Sequence, residues 1–440
     1  MNPVRHNGWM AGASTTSSAL DRAFLLDWYR RNRSRSAALF AMLTDETYYS
    51  RPIALRHPIV FYEGHLPAFS FNTLVKRGLG LPSIDTELET LFARGIDPHE
   101  SAAASDDPVT AMARWPSRGT VKAFADEADR QVMKALAEGD IVQPGHPLLE
   151  DAEAAFCILE HEAMHQETLL YMWHRVPFDQ KRRPHDYALQ PGNETPAHNW
   201  IEIPQGTARL GVNRGDLPFS WDNEREAHEV HVPAFAIEQH NVTNADYLEF
   251  VEAGGNHPLF WERADNGTWL WRGMFENVAL PLAWPVYVSQ ADAKAYAEWR
   301  GGRLMTEAEF HRAAYGEPGG GERTQPWGHD GPQQAHGVFD FEGWDPQPAG
   351  AHPLGASAWG VHDLVGNGWE WTSTPFAPFA GFTPMPSYPE YSADFFDGEH
   401  FVMKGASPAT ARELIRPSFR NWFRAHYPYV YASFRCVRNA

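Results

Sequence analysis

The sequence predicts two domains of different class, an N-terminal helical bundle followed by a C-terminal α+β domain. Apolar residues recur at three- and four-residue spacing from about Ala19 to Pro177, the period of helices with one buried face. Residues 180–199 ("QKRRPHDYALQPGNETPAHN") are rich in proline and polar side chains and have no period, as a linker would. Beyond them short strand-like runs are broken repeatedly by glycine and proline. The expected boundaries are a bundle over 1–179, a linker over 180–199 and a second domain over 200–440.

Four segments carry the bundle: "ALDRAFLLDWYRRNRSRSAALFAML", "RHPIVFYEGHLPAFSFNTLVKRG", "GTVKAFADEADRQVMKALAEG" and "HPLLEDAEAAFCILEHEAMHQETLLYMWHRV". The core of such a bundle is a usual place for metal ligands from facing helices. In the second half, "NWIEIPQGTARLG" and "HEVHVPAFAIEQHNVT" read as strands, and "TNADYLEFVEAG" and "SQADAKAYAEWRGG" as helices. By composition, "GEPGGGERTQPWGHDGPQQ" (316–334) is a flexible surface loop, and no internal repeat of fixed period occurs.

The chain has 440 residues, enough to bury a large core without staples. Its 37 basic and 56 acidic side chains give a net charge of −19, which argues against a nucleic-acid or anionic-membrane partner and favours a small-molecule substrate. No apolar run is long enough to span a bilayer. Two cysteines and no charged-then-apolar N-terminal signal fit a reducing cytoplasm. Oligomeric state is not legible.

"EHEAMHQET" (160–168) places His161 and His165 one helical turn apart, so both imidazoles can reach one ion. With Glu162 as base this is the spelling of a zinc hydrolase. A third histidine, His65 in "FYEGHLPAF", lies among aromatic and aliphatic residues that should turn it to the bundle interior. Three imidazoles on one face of an octahedral ion would leave positions for dioxygen and substrate, which suits Fe(II). Glu162 and Glu167 could complete either site, and spacing does not choose between the metals.

"GGRLMTEAEFHRAAYG", "GNGWEWTSTPF", "FVMKGASPATARELIRPSFRNW" and "ASFRCVRNA" resemble the successive signatures of the sulfatase-modifying-factor, or formylglycine-generating-enzyme-like, fold, a variant of the C-type lectin fold. The first half resembles the DinB-like four-helix bundle. Together they resemble the EgtB-type sulfoxide synthases of ergothioneine biosynthesis, non-heme iron enzymes that join sulfur to the imidazole of hercynine. The resemblance implies Fe(II) on His65, His161 and His165, with O2 as co-substrate. It implies that Tyr388, in "YPEYSADFF", donates a proton during the oxygen chemistry, with Tyr391 beside hercynine. It further implies that Asn421 and Trp422 of "FRNW" contact the trimethylammonium end, which offers no N–H and must be held by aromatic faces and carbonyl oxygens. The segment "RWPSRG" resembles the family's donor-binding stretch, so Arg118 or Arg114 is the candidate for the sulfur donor's carboxylate.

The chain departs from the family in two places. Phe423 and Tyr427 stand where mycobacterial-type enzymes carry an Asp and an Arg that grip γ-glutamylcysteine, and Met164 stands where an imidazole-binding Gln is common. The ending "FRNWFRAHYPYVYASFR" resembles the SenA-type selenoneine synthases, which join a selenosugar to hercynine. The leading expectation is therefore C–Se bond formation. Sulfoxide synthesis from cysteine or γ-glutamylcysteine is the alternative, and from another class, a carbohydrate-binding or scaffold protein with an inactive bundle. Formylglycine generation uses a cysteine pair, and the second half has only Cys436.

Overall fold

A computed structural model describes residues 20–93, 115–185, 187–192 and 194–440. Both expected architectures are present. Helix α1 (Arg22–Ala41) starts at Asp21, whose carboxylate accepts from the Phe24 amide, and buries Leu25, Trp28, Tyr29, Asn32, Ser36, Leu39 and Phe40, a stripe at helical spacing. Helix α2 (Ile59–Ser70) follows Pro58 and is buried along most of its length; its axis continues through wider π turns over Phe71–Gly78. A short helix α3 (Thr86–Leu91), capped by Asp85, was not among the expected segments. Helix α4 (Arg118–Glu138) is capped by Ser117, and α5 (Glu153–Arg175) carries the HExxH residues.

Helix α5 has 20 buried residues among its 23, a pattern expected only when protein covers every face. On one side α1 binds it through polar bridges: Asn32 Nδ2 donates to Leu159 O at 2.8 Å, Gln166 Nε2 to Asn32 O at 2.9 Å, and Trp173 Nε1 to Leu39 O at 2.9 Å. The second domain covers the other side.

That domain is built on two four-stranded sheets. One has β1 (Trp200–Ile203), β4 (Phe235–Glu238), β13 (Cys436–Asn439) and β8 (Arg303–Leu304) in that spatial order, all antiparallel. The other has β11 (Asn421–Arg424), β10 (His400–Ala406), β9 (Gly368–Pro375) and β12 (Ala432–Ser433), with β12 parallel to β9. A hairpin of β2 (Gly206–Leu210) and β3 (His228–Val232) and a meander of β5 (Trp261–Arg263), β6 (Trp269–Arg272) and β7 (Asn277–Ala279) complete the strands named here. Helices α6 (Asn244–Glu252), α7 (Gln290–Trp299) and α8 (Glu307–Ala314) are each capped by the Ser or Thr before them.

Residues 432–437 run through the interior. Arg435 is fully buried, paired with Glu370, and donates to the carbonyls of Glu238, Gln239 and His362, so the charge is neutralised and its N–H groups used. The glycine-rich 316–334 segment is pinned despite its composition: Gln325, itself buried, donates to Ile415 O at 3.1 Å, and Trp327 stacks on His336. Among the described residues no helix is long and apolar enough to cross a membrane.

Candidate metal centre and substrate pocket

His65 on α2 and His161 and His165 on α5 are all buried, and one ring nitrogen from each lies within 4.8 Å of the others. His161 Nε2 and His165 Nε2 face each other at 3.1 Å. His65 Nδ1–H donates to Phe92 O at 2.7 Å, which leaves the Nε2 lone pair for the interior, where it meets no protein donor among the described residues. Gly64 makes that bond possible: a Cβ there would fall 2.3 Å from the Phe92 ring. Burial lowers the His65 pKa to about 4 despite the opposing pull of the Phe92 carbonyl, and burial, followed by neighbouring imidazoles and at His165 also Arg56, holds His161 and His165 well below the ordinary imidazole range. Three neutral imidazoles with converging nitrogens, one of them an orphaned acceptor, fit a divalent metal ion.

Glu162 is not placed as a base for this centre. One residue along the helix from His161, it faces α1, where it accepts from Arg33 at 2.9 Å and Ser36 at 2.6 Å. Glu160 and Glu167 face the second domain. Glu160 accepts from Trp221 Nε1 and from both terminal nitrogens of Arg416; Glu167 accepts from Trp369 Nε1, Ser407 and Thr410. The carboxylates of this motif anchor the helix, and the histidines keep the remaining face.

The second domain brings its loop 385–392 over that face. The Tyr388 ring lies 5.8 Å from His161 and 5.1 Å from Phe69, which stacks on His161 at 3.5 Å. Tyr391 is 5.7 Å from Tyr388 and donates its O–H to Met164 Sδ at 3.2 Å. Trp422 on β11 packs edge-on against Tyr391 at 5.0 Å and stacks flat on Phe376 at 4.2 Å, while Asn421 turns its carbonyl oxygen back to the Trp422 amide. Strand alternation sends Phe423 to the opposite face, where it stacks on Tyr427 at 5.0 Å beside Tyr171. Arg118 pairs with Asp45 and Glu63 and covers Tyr48, and it is 42% exposed. Arg114 lies outside the described residues.

Sequence reading missed three contributors. Arg56, buried before α2, donates to Tyr427 and Tyr171 at 3.1 and 3.0 Å. Arg416 ties Glu160 to Glu224, and Trp221 lies on Tyr391 at 3.9 Å. None sits in a periodic pattern or metal-ligand spacing, because each acts on residues far away in the chain.

The sulfatase-modifying factor enzyme 1-like domain family matches residues 187–440 and the DinB superfamily matches 29–169. Hercynine oxygenase of Mycolicibacterium thermoresistibile is 37% identical over 303 residues, covering 62% of this chain and 67% of its own length. The chain belongs to the EgtB-type family. Hercynine oxygenase of Mycobacterium tuberculosis is 38% identical over 248 residues, 51% of this chain and 57% of its own. Ergothioneine biosynthesis protein 1 of Schizosaccharomyces pombe is 29% identical over 439 residues, 90% of this chain. This EgtB-type chain spans 54% of that relative's length.

Proposed function

We propose that this protein is an O2-dependent non-heme iron enzyme that bonds the imidazole carbon of hercynine to a chalcogen donor, and that the donor is a selenosugar. The observation carrying the reaction class is the triad of buried, neutral imidazoles beside two phenols. The names of the relatives, hercynine oxygenase and ergothioneine biosynthesis protein 1, support the acceptor. His65, His161 and His165 would hold Fe(II), which when bound supplies one-electron chemistry with dioxygen. In the balance, the imidazole C–H and donor Se–H bonds break and a C–Se bond forms. The four electrons pass to dioxygen, one oxygen leaving as water and the other remaining on selenium.

The chain's own groups bind, orient and move protons. Tyr388, beside His161, is the phenol for proton transfer at the reacting end. Tyr391, Trp422 and Asn421 shape the hercynine site, with aromatic faces for the quaternary ammonium. The stacked Phe423 and Tyr427 rings support a donor with a weakly charged ring, since they replace the charged clamp of mycobacterial-type enzymes. We place the reaction in the cytoplasm, in keeping with the unpaired, buried Cys157 and Cys436.

Sulfoxide synthesis from cysteine or γ-glutamylcysteine is the second reading, favoured by the mycobacterial relatives. Iron-loaded protein is mixed with hercynine without oxygen, then given air and each donor in turn, and the products are weighed by mass spectrometry. A selenium adduct is expected. No selenium adduct, with a sulfoxide from cysteine, rejects the selenosugar; protein that takes up no iron rejects the reaction and leaves a carbohydrate-binding scaffold.

A further inference from the structure

We propose that residues 220–224, Ser-Trp-Asp-Asn-Glu, are a strut that sets the two site tyrosines against the metal-ligand helix, with Trp221 the positioning residue for Tyr391. The inference rests on the function proposed above. All five residues are buried. The Trp221 indole lies on the Tyr391 ring at 3.9 Å and 29°, and its N–H donates to Glu160 Oε2 at 2.8 Å. On its other side Tyr391 donates to Met164 Sδ at 3.2 Å. Glu160 and Met164 stand one turn apart on α5, each immediately before a histidine ligand candidate. Glu160, Trp221, Tyr391 and Met164 thus close a ring that starts and ends on the helix, so the phenol is located relative to His161 and His165 themselves.

The neighbouring strut residues hold the loop that carries the tyrosines. Asp222 accepts from the Met385 amide at 3.3 Å and from the Ser392 hydroxyl, which also accepts from Asn223 Nδ2 at 3.0 Å. These contacts bracket Tyr388 and Tyr391. Glu224 fixes the strut in turn, accepting from the Trp221 amide at 2.9 Å, from Ser418 at 2.6 Å and from Arg416, the arginine that also grips Glu160. A thioether is a weak acceptor and cannot orient a phenol alone. The flat indole stack fixes the ring plane, and its N–H fixes the indole.

The test uses the full chain loaded with Co(II) under nitrogen, as wild type, Trp221→Leu and Trp221→Phe. Co(II) content, thermal unfolding, hercynine affinity by calorimetry and Tyr391 nitration by tetranitromethane, mapped by mass spectrometry, are read together. Expected is full Co(II) loading in all three, a loss of hercynine affinity of about tenfold in Trp221→Leu, and recovery of most of it in Trp221→Phe, which keeps a stacked ring. Tyr391 nitration should rise several-fold in Trp221→Leu. Wild-type hercynine affinity in a folded Trp221→Leu, or loss of Co(II) in step with hercynine, overturns the strut. Should wild type take Co(II) yet not bind hercynine, the proposed function falls, and nitration decides the strut: unchanged labelling of Tyr391 overturns it. Where Trp221→Leu does not fold, nitration of Trp221→Phe decides, with at least a doubling expected and no change overturning the inference.

Discussion

At the scale of single residues, the three histidines were legible because ligand spacing on a helix is local, and His65 because an imidazole among apolar neighbours is conspicuous. What Glu162 does was not legible: the sequence leaves it as base or as a further group completing the metal site, and only the position of α1 assigns it to Arg33 and Ser36. Two outcomes follow. On the proposed function, wild type should carry one iron per chain and His161→Ala only background iron, measured by plasma emission, with the near-ultraviolet signal of the second domain retained. Glu162→Gln should keep its iron and lose about 1–3 kcal/mol of stability in denaturant unfolding, the cost of weakening a buried charged hydrogen bond. Loss of iron in Glu162→Gln at unchanged stability would instead place Glu162 in the centre. Gly64→Ala tests the ligand's orientation. The added methyl must displace the Phe92 ring, so a destabilisation of about 1–3 kcal/mol from overpacking and weaker Co(II) binding in a competition titration are expected.

At the scale of elements, the long bundle helices, helices α6 and α7 and several strands of the second domain could be read from period, caps and glycine punctuation, whereas α3 and α8 were not. Contacts between elements could not. The sequence shows that α5 is apolar and histidine-bearing, but not that it is enclosed on all sides, because residues 200–440 look locally like a separate domain. The strut at 220–224 was invisible for the same reason: its partners lie on α5, in loop 385–392 and at Arg416. Glu167→Ala probes the enclosure. It strips the acceptor from Trp369, Ser407 and Thr410 at once, and a destabilisation of about 2–4 kcal/mol is expected from leaving buried donors unpaired. A loss below 0.5 kcal/mol, about the scatter of surface substitutions, would mean that this junction is not closely packed.

At the scale of the whole molecule, the two domains also meet through a proton-sensitive bridge. His174, near the end of α5, donates from Nε2 to Arg272 O and accepts the Tyr431 hydroxyl at Nδ1. Burial, ahead of the surrounding cations, holds its pKa well below the ordinary 6.5. The unfolded chain takes up this proton first, so stability falls as pH drops below about 6.5. His174→Gln should shrink the acid-limb slope by one proton, about 1.4 kcal/mol per pH unit, measured by unfolding at stepped pH; an unchanged slope would show that His174 is already protonated in the fold. The division of labour between the domains has a further consequence for how such a molecule can be redesigned. All three ligand candidates sit in the bundle, whereas Trp422 and Phe423 occupy β11, a four-residue strand at the edge of its sheet. An edge strand has one backbone neighbour, but its side chains here are packed, Trp422 on Phe376 and Tyr391 and Phe423 on Tyr427, so exchanging them requires these ring partners to vary with them. On the proposed function, donor preference would then be a replaceable faceplate on a fixed socket, and a library over residues 421–427 together with Phe376 and Tyr391 is the economical way to retarget the chain.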